Sequence, residues 1–156
     1  MYGPSTGDNP DFFDRICEHI ENTENEHVII AGDWNCPLDA KLDTRNYNST
    51  VNRPRTRKKI KDMMTEYNLS DMFREIYPDK RKYTWRKFNS IKQARLDYFL
   101  VSEELQTVVN DVEIDHSYRS DHSLIILDIK KENFRRDRPF WKFKTAYLEI
   151  KNIFLK

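Results

Sequence analysis

The chain has 156 residues, with 27 Lys and Arg against 26 Asp and Glu for a net charge of +1. That length supports one domain with a real core. An aromatic content of 13% with only three Gly excludes a disordered chain, and no apolar run reaches the length of a membrane span or forms a signal peptide. Charge is unevenly spread. Residues 1–40 hold nine acids and one base (−8), so residues 41–156 hold 26 bases and 17 acids (+9). A basic C-terminal three-quarters suits a polyanion, although it equally describes an ordinary solvated face. Cys17 and Cys36 are too few for a disulfide framework and lack the His neighbours of a zinc site, so both read as free thiols in a reducing compartment.

In chain order, Tyr2-Gly3-Pro4 reads as a strand end entering a turn. Asn9-Pro10 predicts a helix start, with Asn as N-cap and Pro at the first helical position. Phe12, Phe13, Ile16, Cys17 and Ile20 then share a face at helical spacing to about Asn22. Val28-Ile29-Ile30-Ala31 runs into Gly32-Asp33-Trp34-Asn35, and residues 27–32 predict a strand buried on both faces. Residues 36–52 read as a polar loop. Pro54 opens a helix with Ile60, Met63, Met64 and Tyr67 inward and Arg55, Arg57, Lys58, Lys59 and Lys61 outward. Residues 71–77 predict a short helical turn stopped by Pro78. Strands are expected at Tyr83-Thr84-Trp85, Leu96–Val101, Val108–Ile114 and His122–Ile129. Ser102 caps a turn over Glu103–Leu105. Residues 131–139 read as a linker, and 143–154 as a helix.

Residues just past a buried strand face the cleft where α/β proteins place their chemistry. Asp33 is such a residue, able to orient or deprotonate a water, with Asn35 able to hold that water or an anionic oxygen. Gly-Asp-x-Asn is also a plain turn, so the pair needs support from elsewhere in the chain. Asp97 interrupts an apolar strand, and a half-buried carboxylate needs a partner. A salt bridge to Arg95 is one answer. The other is His122, which Asp97 would orient and keep protonated near neutral pH. Ser120-Asp121-His122-Ser123 is otherwise a polar turn with a surface His, and Tyr2 otherwise a packing residue. Together these residues suit hydrolysis of a phosphoester. Asp33 aligns water for in-line attack and the Asp97–His122 pair faces the phosphate. Asp121 coordinates a hard divalent cation, and Tyr2 donates to a phosphoryl oxygen. The metal-ligand candidates are Asp33, Asn35, Asp121 and His122.

Gly32-Asp33-Trp34-Asn35, Arg95-Leu96-Asp97-Tyr98 and Ser120-Asp121-His122 resemble, in that order, the motifs of the endonuclease/exonuclease/phosphatase family, which includes the apurinic endonucleases and deoxyribonuclease I. Tyr2-Gly3-Pro4 looks like that family's central tyrosine motif. Tyr83-Thr84-Trp85-Arg86 and Arg138-Pro139-Phe140-Trp141-Lys142-Phe143 resemble a narrower branch, the endonuclease domain of LINE-type retrotransposon polyproteins. The resemblance implies an α/β sandwich of two facing sheets with helices outside. It also implies DNA phosphodiester cleavage with Mg²⁺, or Mn²⁺ in its place, and catalytic roles for Tyr2, Asp33, Asn35, Asp97 and His122.

In the family an early Asn and a metal-binding Glu precede the tyrosine motif. The expectation is therefore an incomplete sandwich lacking the N-terminal half: residues 1–130 as the C-terminal part of a retroelement-derived nuclease domain, and 131–156 leading toward a reverse transcriptase region. Arg55, Arg57 and Lys58, with Arg81, Lys82 and Arg86, are the candidate DNA-phosphate contacts. Trp85 lies among the second group and reads as a core residue. Two alternatives stand beside cleavage of DNA: a nucleic-acid-binding remnant without catalysis, and a phosphatase or phosphodiesterase of the same fold acting on a small ester. A nuclear location is expected from the DNA substrate alone, and no membrane partner is expected.

Overall fold

The strand Asp97–Ser102 (β6) carries the central sheet. It lies between Ile29–Asp33 (β1) and Leu69–Asp71 (β3) and is antiparallel to both. The structure is a computed structural model and describes residues 1–23, 27–47, 53–116 and 120–130. The predicted linker and helix beyond residue 130 lie outside the described residues. A second small sheet orders Thr44–Arg45 (β2), Gln93–Ala94 (β5) and Trp85–Arg86 (β4), all antiparallel. Val109–Asp115 (β7) and Leu124–Ile129 (β8) form an antiparallel pair. An isolated bridge between Trp85 and His122 links the second sheet to the entrance of β8.

Asn9 and Pro10 do start a helical segment, a 3₁₀ turn over Pro10–Phe13 that continues as Asp14–Asn22 (α1), but the Asn9 side chain makes no capping bond. The carboxylate that does cap a helix is Asp8, and the helix is Pro54–Glu66 (α2). Its oxygens accept the backbone N–H groups of Arg55 and Thr56 at 3.0 and 2.7 Å. Those donors have no intrahelical partner, so a carboxylate from a distant loop satisfies them and ties that loop to α2. Met72–Ile76 (α3) and Glu103–Gln106 (α4) are single turns. Ser102 does not cap α4; its hydroxyl accepts the N–H of Val28 at 3.0 Å instead.

The core has two parts. Phe13, Cys17, Trp34, Cys36, Leu38, Ile60, Met63, Leu69, Tyr98 and Leu100 close together between the helices and the sheet. Met72, Phe73, Val101, Val112 and Ile114 form the second cluster. Each such aliphatic side chain contributes roughly 1.5–3 kcal/mol when fully buried. Both cysteines are free and buried within the first cluster. The expectation that β1 is buried on both faces is not met: Ile29 is 41% exposed and Ile30 to Asp33 are half-buried. One face of the strand packs on the helical core through Ile30. The predicted loop 36–52 also holds a strand, β2. A two-residue pairing needs so few apolar residues that composition does not reveal it. Among the described residues no helix is long and apolar enough to cross a membrane.

A buried ion cluster holds the sheets together. The Arg95 guanidinium, 1% exposed, donates to Asp43 from Nε (2.8 Å) and Nη2 (3.0 Å), and to Asp71 from Nη1 (3.0 Å) and Nη2 (2.5 Å). It also lies over the rings of Tyr98 and Phe73, 5.2 and 5.5 Å from their centroids. Burial alone would lower its pKa; the Asp71 and Asp43 charges outweigh that and raise it. Arg95 is therefore committed to Asp43 and Asp71 and leaves Asp97 to another partner.

Candidate active site

Strand register brings the first two carboxylates together. Asp33 ends β1 and Asp97 begins β6, and the antiparallel pairing sets them directly opposite one another. Alternation along a strand then sends their neighbours to the other face. Trp34 stacks there between Phe13 and Tyr98, at centroid separations of 6.0 and 4.9 Å. Its indole donates to the Tyr98 carbonyl at 3.0 Å, and the Tyr98 hydroxyl donates to the Cys36 carbonyl at 3.0 Å. The aromatic residues beside each acid are thus the anchors that fix the acids on the opposite face.

The turn after β1 is built around Asp33. Asn35 takes a left-handed conformation (φ 50°), donates its backbone N–H to Asp33 Oδ1 at 2.8 Å, and donates its side-chain amide to Asp33 Oδ2 at 3.1 Å and to the Gly3 carbonyl at 2.9 Å. Its amide nitrogen is therefore spent on orienting Asp33. Residues 1–3 run alongside: Tyr2 bridges Asp33, Gly3 N–H donates to the Asp33 carbonyl at 2.7 Å, and Asp33 N–H donates to the Met1 carbonyl at 3.1 Å. The approach is so close that a Cβ on Gly32 (φ 146°) would lie 2.0 Å from the Met1 carbonyl oxygen, a Gly-only position. The Tyr2 side chain, at the same end of the sheet, is exposed.

His122 completes the group. Its Nδ1–H donates to Asp97 Oδ2 at 2.9 Å and its Nε2 lies 3.9 Å from Asp33 Oδ2. The Asp97 hydrogen bond raises the His122 pKa above its usual 6.5, against an opposing effect of burial, with the Asp97 and Asp33 charges adding to the rise. The Asp33 pKa is also raised above its ordinary 3.8. Burial is the main cause and the nearby Asp97 charge adds to it, against the Asn35 hydrogen bonds and the His122 charge. One ligand atom from each of Asp33, Asp97 and His122 lies within 4.8 Å of the others. Two carboxylates and an imidazole at that spacing fit a hard divalent cation in donor type and reach.

Asp121 does not join that group. Its carboxylate points to the second sheet and accepts the Trp85 indole N–H at 3.0 Å, while its backbone carbonyl accepts the Arg86 N–H at 2.9 Å. Trp85 is accordingly half-buried at the site and not a core residue as composition suggested. Thr84 is a site residue that sequence reasoning passed over. Fully buried, its hydroxyl accepts the N–H groups of Leu96 and Asp97 at 2.9 and 3.0 Å, and its carbonyl accepts Ser123 N–H at 2.6 Å. A lone Thr between two aromatic residues carries no pattern that would have revealed it.

Of the basic candidates, Arg86 lies against His116, its nitrogens 3.0 and 2.9 Å from the two ring nitrogens. Partial burial, then the Arg86 and Lys82 charges, push the His116 pKa down. Arg81 is exposed and Lys82 half-buried on the same approach. On α2, Arg55 is exposed, Arg57 Nε donates to the Pro37 carbonyl at 2.8 Å, and Lys58 pairs with Asp62. The start of α2 is pinned to the site end of the sheet, because Arg53 donates to the carbonyls of Pro4 and Ser5.

The family model described as endonuclease-reverse transcriptase matches residues 1–126. A transposon TX1 uncharacterized 149 kDa protein of Xenopus laevis is 26% identical over 153 residues, which is 96% of this chain and 11% of that protein. An exodeoxyribonuclease of Bacillus subtilis is 28% identical over 120 residues, 70% of this chain and 47% of its own. Among solved structures, an AP endonuclease from Archaeoglobus fulgidus superposes with a TM-score of 0.68 at 20% identity, covering 78% of this chain and 53% of that one. A 3′-5′ exonuclease from Neisseria meningitidis gives 0.66 at 21% identity over the same shares. The fold is thus the α/β fold of the deoxyribonuclease I-like nucleases, and the chain spans about half the length of these neighbours.

Proposed function

Because this chain belongs to the endonuclease-reverse transcriptase family, we propose that it cleaves DNA phosphodiester bonds through the Asp33–Asp97–His122 group. The observation that carries this reading is the opposition of Asp33 to the His122–Asp97 pair, with His122 Nε2 3.9 Å from Asp33 Oδ2. That gap is the place for a water or a phosphoryl oxygen, within hydrogen-bond reach of both sides. Asp33, held by two Asn35 donors, orients the water and takes its proton. Its raised pKa makes it a better base than an ordinary Asp. His122, kept protonated by Asp97, donates from Nε2 to a phosphoryl oxygen and stabilises the charge that grows there. The water oxygen bonds to phosphorus as the bond to the departing sugar oxygen breaks. Mg²⁺ or Mn²⁺, held by Asp33 and Asp97, would neutralise charge on the phosphate. Tyr2, exposed at this end of the sheet, is within the approach of a phosphate.

The DNA strand would cross the basic approach formed by Arg81, Lys82 and Arg86, with Arg55, Arg57 and Lys58 at the α2 end. The long match to a transposon protein supports a reverse transcriptase region as the neighbour in a longer polypeptide. The test is nicking of supercoiled plasmid by the purified chain. Nicking that requires Mg²⁺, stops in EDTA, and is lost in both Asp33→Ala and His122→Ala is the expected result. Soluble protein that binds plasmid without nicking it would overturn catalysis and leave binding alone.

A further inference from the structure

Arg86 is a half-buried cation held against an imidazole. Its Nη1 lies 3.0 Å from His116 Nδ1 and its Nη2 2.9 Å from His116 Nε2. A neutral imidazole has a single acceptor nitrogen, so one of these contacts is a hydrogen bond and the other is proximity. Ser123 decides between them, because its hydroxyl oxygen lies 3.2 Å from His116 Nδ1. With the proton on Nδ1, that nitrogen donates to Ser123 and Nε2 accepts from Arg86 Nη2. With the proton on Nε2 it would face the Arg86 N–H groups. Partial burial, then the Arg86 and Lys82 charges, push the His116 pKa below 6.5 against the Asp115 charge, so the ring is neutral at neutral pH. The anchor itself is fixed: Ser123 is buried, and its backbone N–H donates to the Thr84 carbonyl at 2.6 Å.

The backbone of Arg86 is held as well. Its N–H donates to the Asp121 carbonyl at 2.9 Å, and its neighbour Trp85 bridges His122. Arg86 is therefore tied at both ends beside the last motif of the site. Arg74 and Arg95, the guanidinium groups of the ion cluster, spend their charge on Asp43 and Asp71. Among the described residues no carboxylate pairs with Arg86, whose side-chain partner is the imidazole. Its charge is left uncompensated, and it carries more N–H donors than one imidazole can accept. An oriented guanidinium with unspent donors matches a phosphate in charge and in shape.

We propose that Arg86, His116 and Ser123 form a phosphate subsite beside the reactive group, in which His116, anchored by Ser123, is a positioning residue that presents the Arg86 guanidinium to a DNA phosphate flanking the one cleaved. The inference rests on the DNA-cleaving reading for its ligand and gives Arg86 its geometry within it. Without His116, the long Arg86 side chain must give up its rotamer freedom at each binding event. Affinity then falls although the number of charges meeting the DNA is unchanged.

The test is binding of a fluorescein-labelled DNA duplex to the 156-residue chain, followed by anisotropy in EDTA so that no cleavage intervenes. The variants are His116→Leu, His116→Gln, Arg86→Ala and the double variant of His116→Leu with Arg86→Ala. Leu deletes the acceptor, whereas Gln offers an amide oxygen in its place. His116 is exposed, so neither change reaches the core. The expected result is a Kd raised about fivefold or more by His116→Leu, recovery in His116→Gln, and no further loss when His116→Leu is added to Arg86→Ala. The salt dependence separates positioning from charge. The slope of log K against log salt should stay at the wild-type value in His116→Leu and fall by about 0.9 in Arg86→Ala. A His116→Leu variant that binds like wild type would overturn the inference. So would equal losses with and without Arg86, a Gln variant as weak as the Leu variant, or a wild-type chain that does not bind the duplex. Coupled losses in binding without any nicking in Mg²⁺ would remove the nuclease reading and leave the subsite standing, whereas nicking with a DNA affinity indifferent to His116 would do the reverse.

Discussion

Asp43→Asn tests the ion cluster that ties the sheets together. The change keeps the shape of the side chain and deletes its charge. Arg95 would then stay 1% exposed with only Asp71 to balance it. Asp43, fully buried, also accepts Arg74 Nη2 at 2.6 Å and the Asp39 N–H at 2.9 Å, so the loss reaches the loop before β2. Removing one partner of a buried pair destabilises by roughly 3–5 kcal/mol. Asp71 remains and Asn still accepts a hydrogen bond, so the lower end, about 3 kcal/mol, is expected. That is roughly a hundredfold in the folding equilibrium and a fall in Tm of about 6–12 °C for a chain of this size.

Urea denaturation followed by circular dichroism measures it, with Lys58→Ala as the control. That variant breaks an ion pair whose side chains are 76% and 53% exposed and is expected to move stability by less than about 0.5 kcal/mol. Desolvation makes a further demand. The triple variant Asp43→Asn, Asp71→Asn, Arg95→Met, which leaves only the partly exposed Arg74 charged, should be more stable than Arg95→Met alone, which leaves two buried carboxylates with Arg74 as their one remaining cation in the cluster. A midpoint for Asp43→Asn that matches the control, or a triple variant worse than Arg95→Met, would refute the reasoning.

The pH profile follows from the site. Asp33 must be ionised and its pKa is raised above 3.8, so the acid limb of the cleavage rate should lie above that value. His122 must be protonated and its pKa is raised above 6.5, so activity persists past 6.5 and is lost as pH climbs through the raised value. The stabilising His122–Asp97 ion pair is likewise fully present below 6.5 and fades over the same interval. Asp97→Asn should draw the alkaline limb back toward 6.5; a limb that does not move would separate His122 from that limb. Gly32→Ala should lower stability by about 1–3 kcal/mol from the backbone conformation alone, with the Met1 contact adding to it, and thermal unfolding measures the change. Arg86→Ala should lower the slope of log K for DNA against log salt by about 0.9 if the residue meets one phosphate; an unchanged slope would place Arg86 off the DNA path.

Much of the fold was legible because its signals are local. The helices at residues 10–22 and 54–66 have apolar faces at helical spacing and a Pro at each start, and both formed. The acids at 33 and 97 stood out because a carboxylate in an apolar strand demands a partner, and the partner of Asp97 is His122, one of the two candidates considered. The other candidate failed for a reason the sequence hides. Arg95 precedes Asp97 by two residues, and its side chain is committed to Asp43 and Asp71, which lie 52 and 24 residues away. Long-range pairing of this kind leaves no spacing to read. Thr84 and the Asp8 cap were missed in the same way, since one hydroxyl or one carboxylate serving backbone donors 12 to 48 residues distant has no local period. For Asp121 the sequence put the residue among the metal ligands, but its carboxylate turns to the Trp85 indole, a direction with no local signal.

The register of β1 on β6 explains why motifs so far apart act together. Opposite residues on antiparallel strands share a face, so pairing Asp33 with Asp97 also puts Trp34 and Tyr98 on the far side, where they stack as diagonal neighbours. A slip of β1 by one residue would turn Asp33 into the aromatic core and Trp34 toward the site. The cost of burying an unpaired carboxylate and of exposing Trp34 opposes that slip, so the core packing enforces the catalytic geometry. Gly-Asp-Trp-Asn and Leu-Asp-Tyr are each half chemistry and half anchor, and the Thr84–Arg86 segment joins them to the third motif, the Thr84 hydroxyl accepting the N–H groups of Leu96 and Asp97 and the segment's backbone pairing with Asp121 and Ser123. The two carboxylates are therefore held by paired strands, with His122 tied in by its bridge to Trp85, which is where groups that must stay within a few tenths of an ångström of one another are best placed.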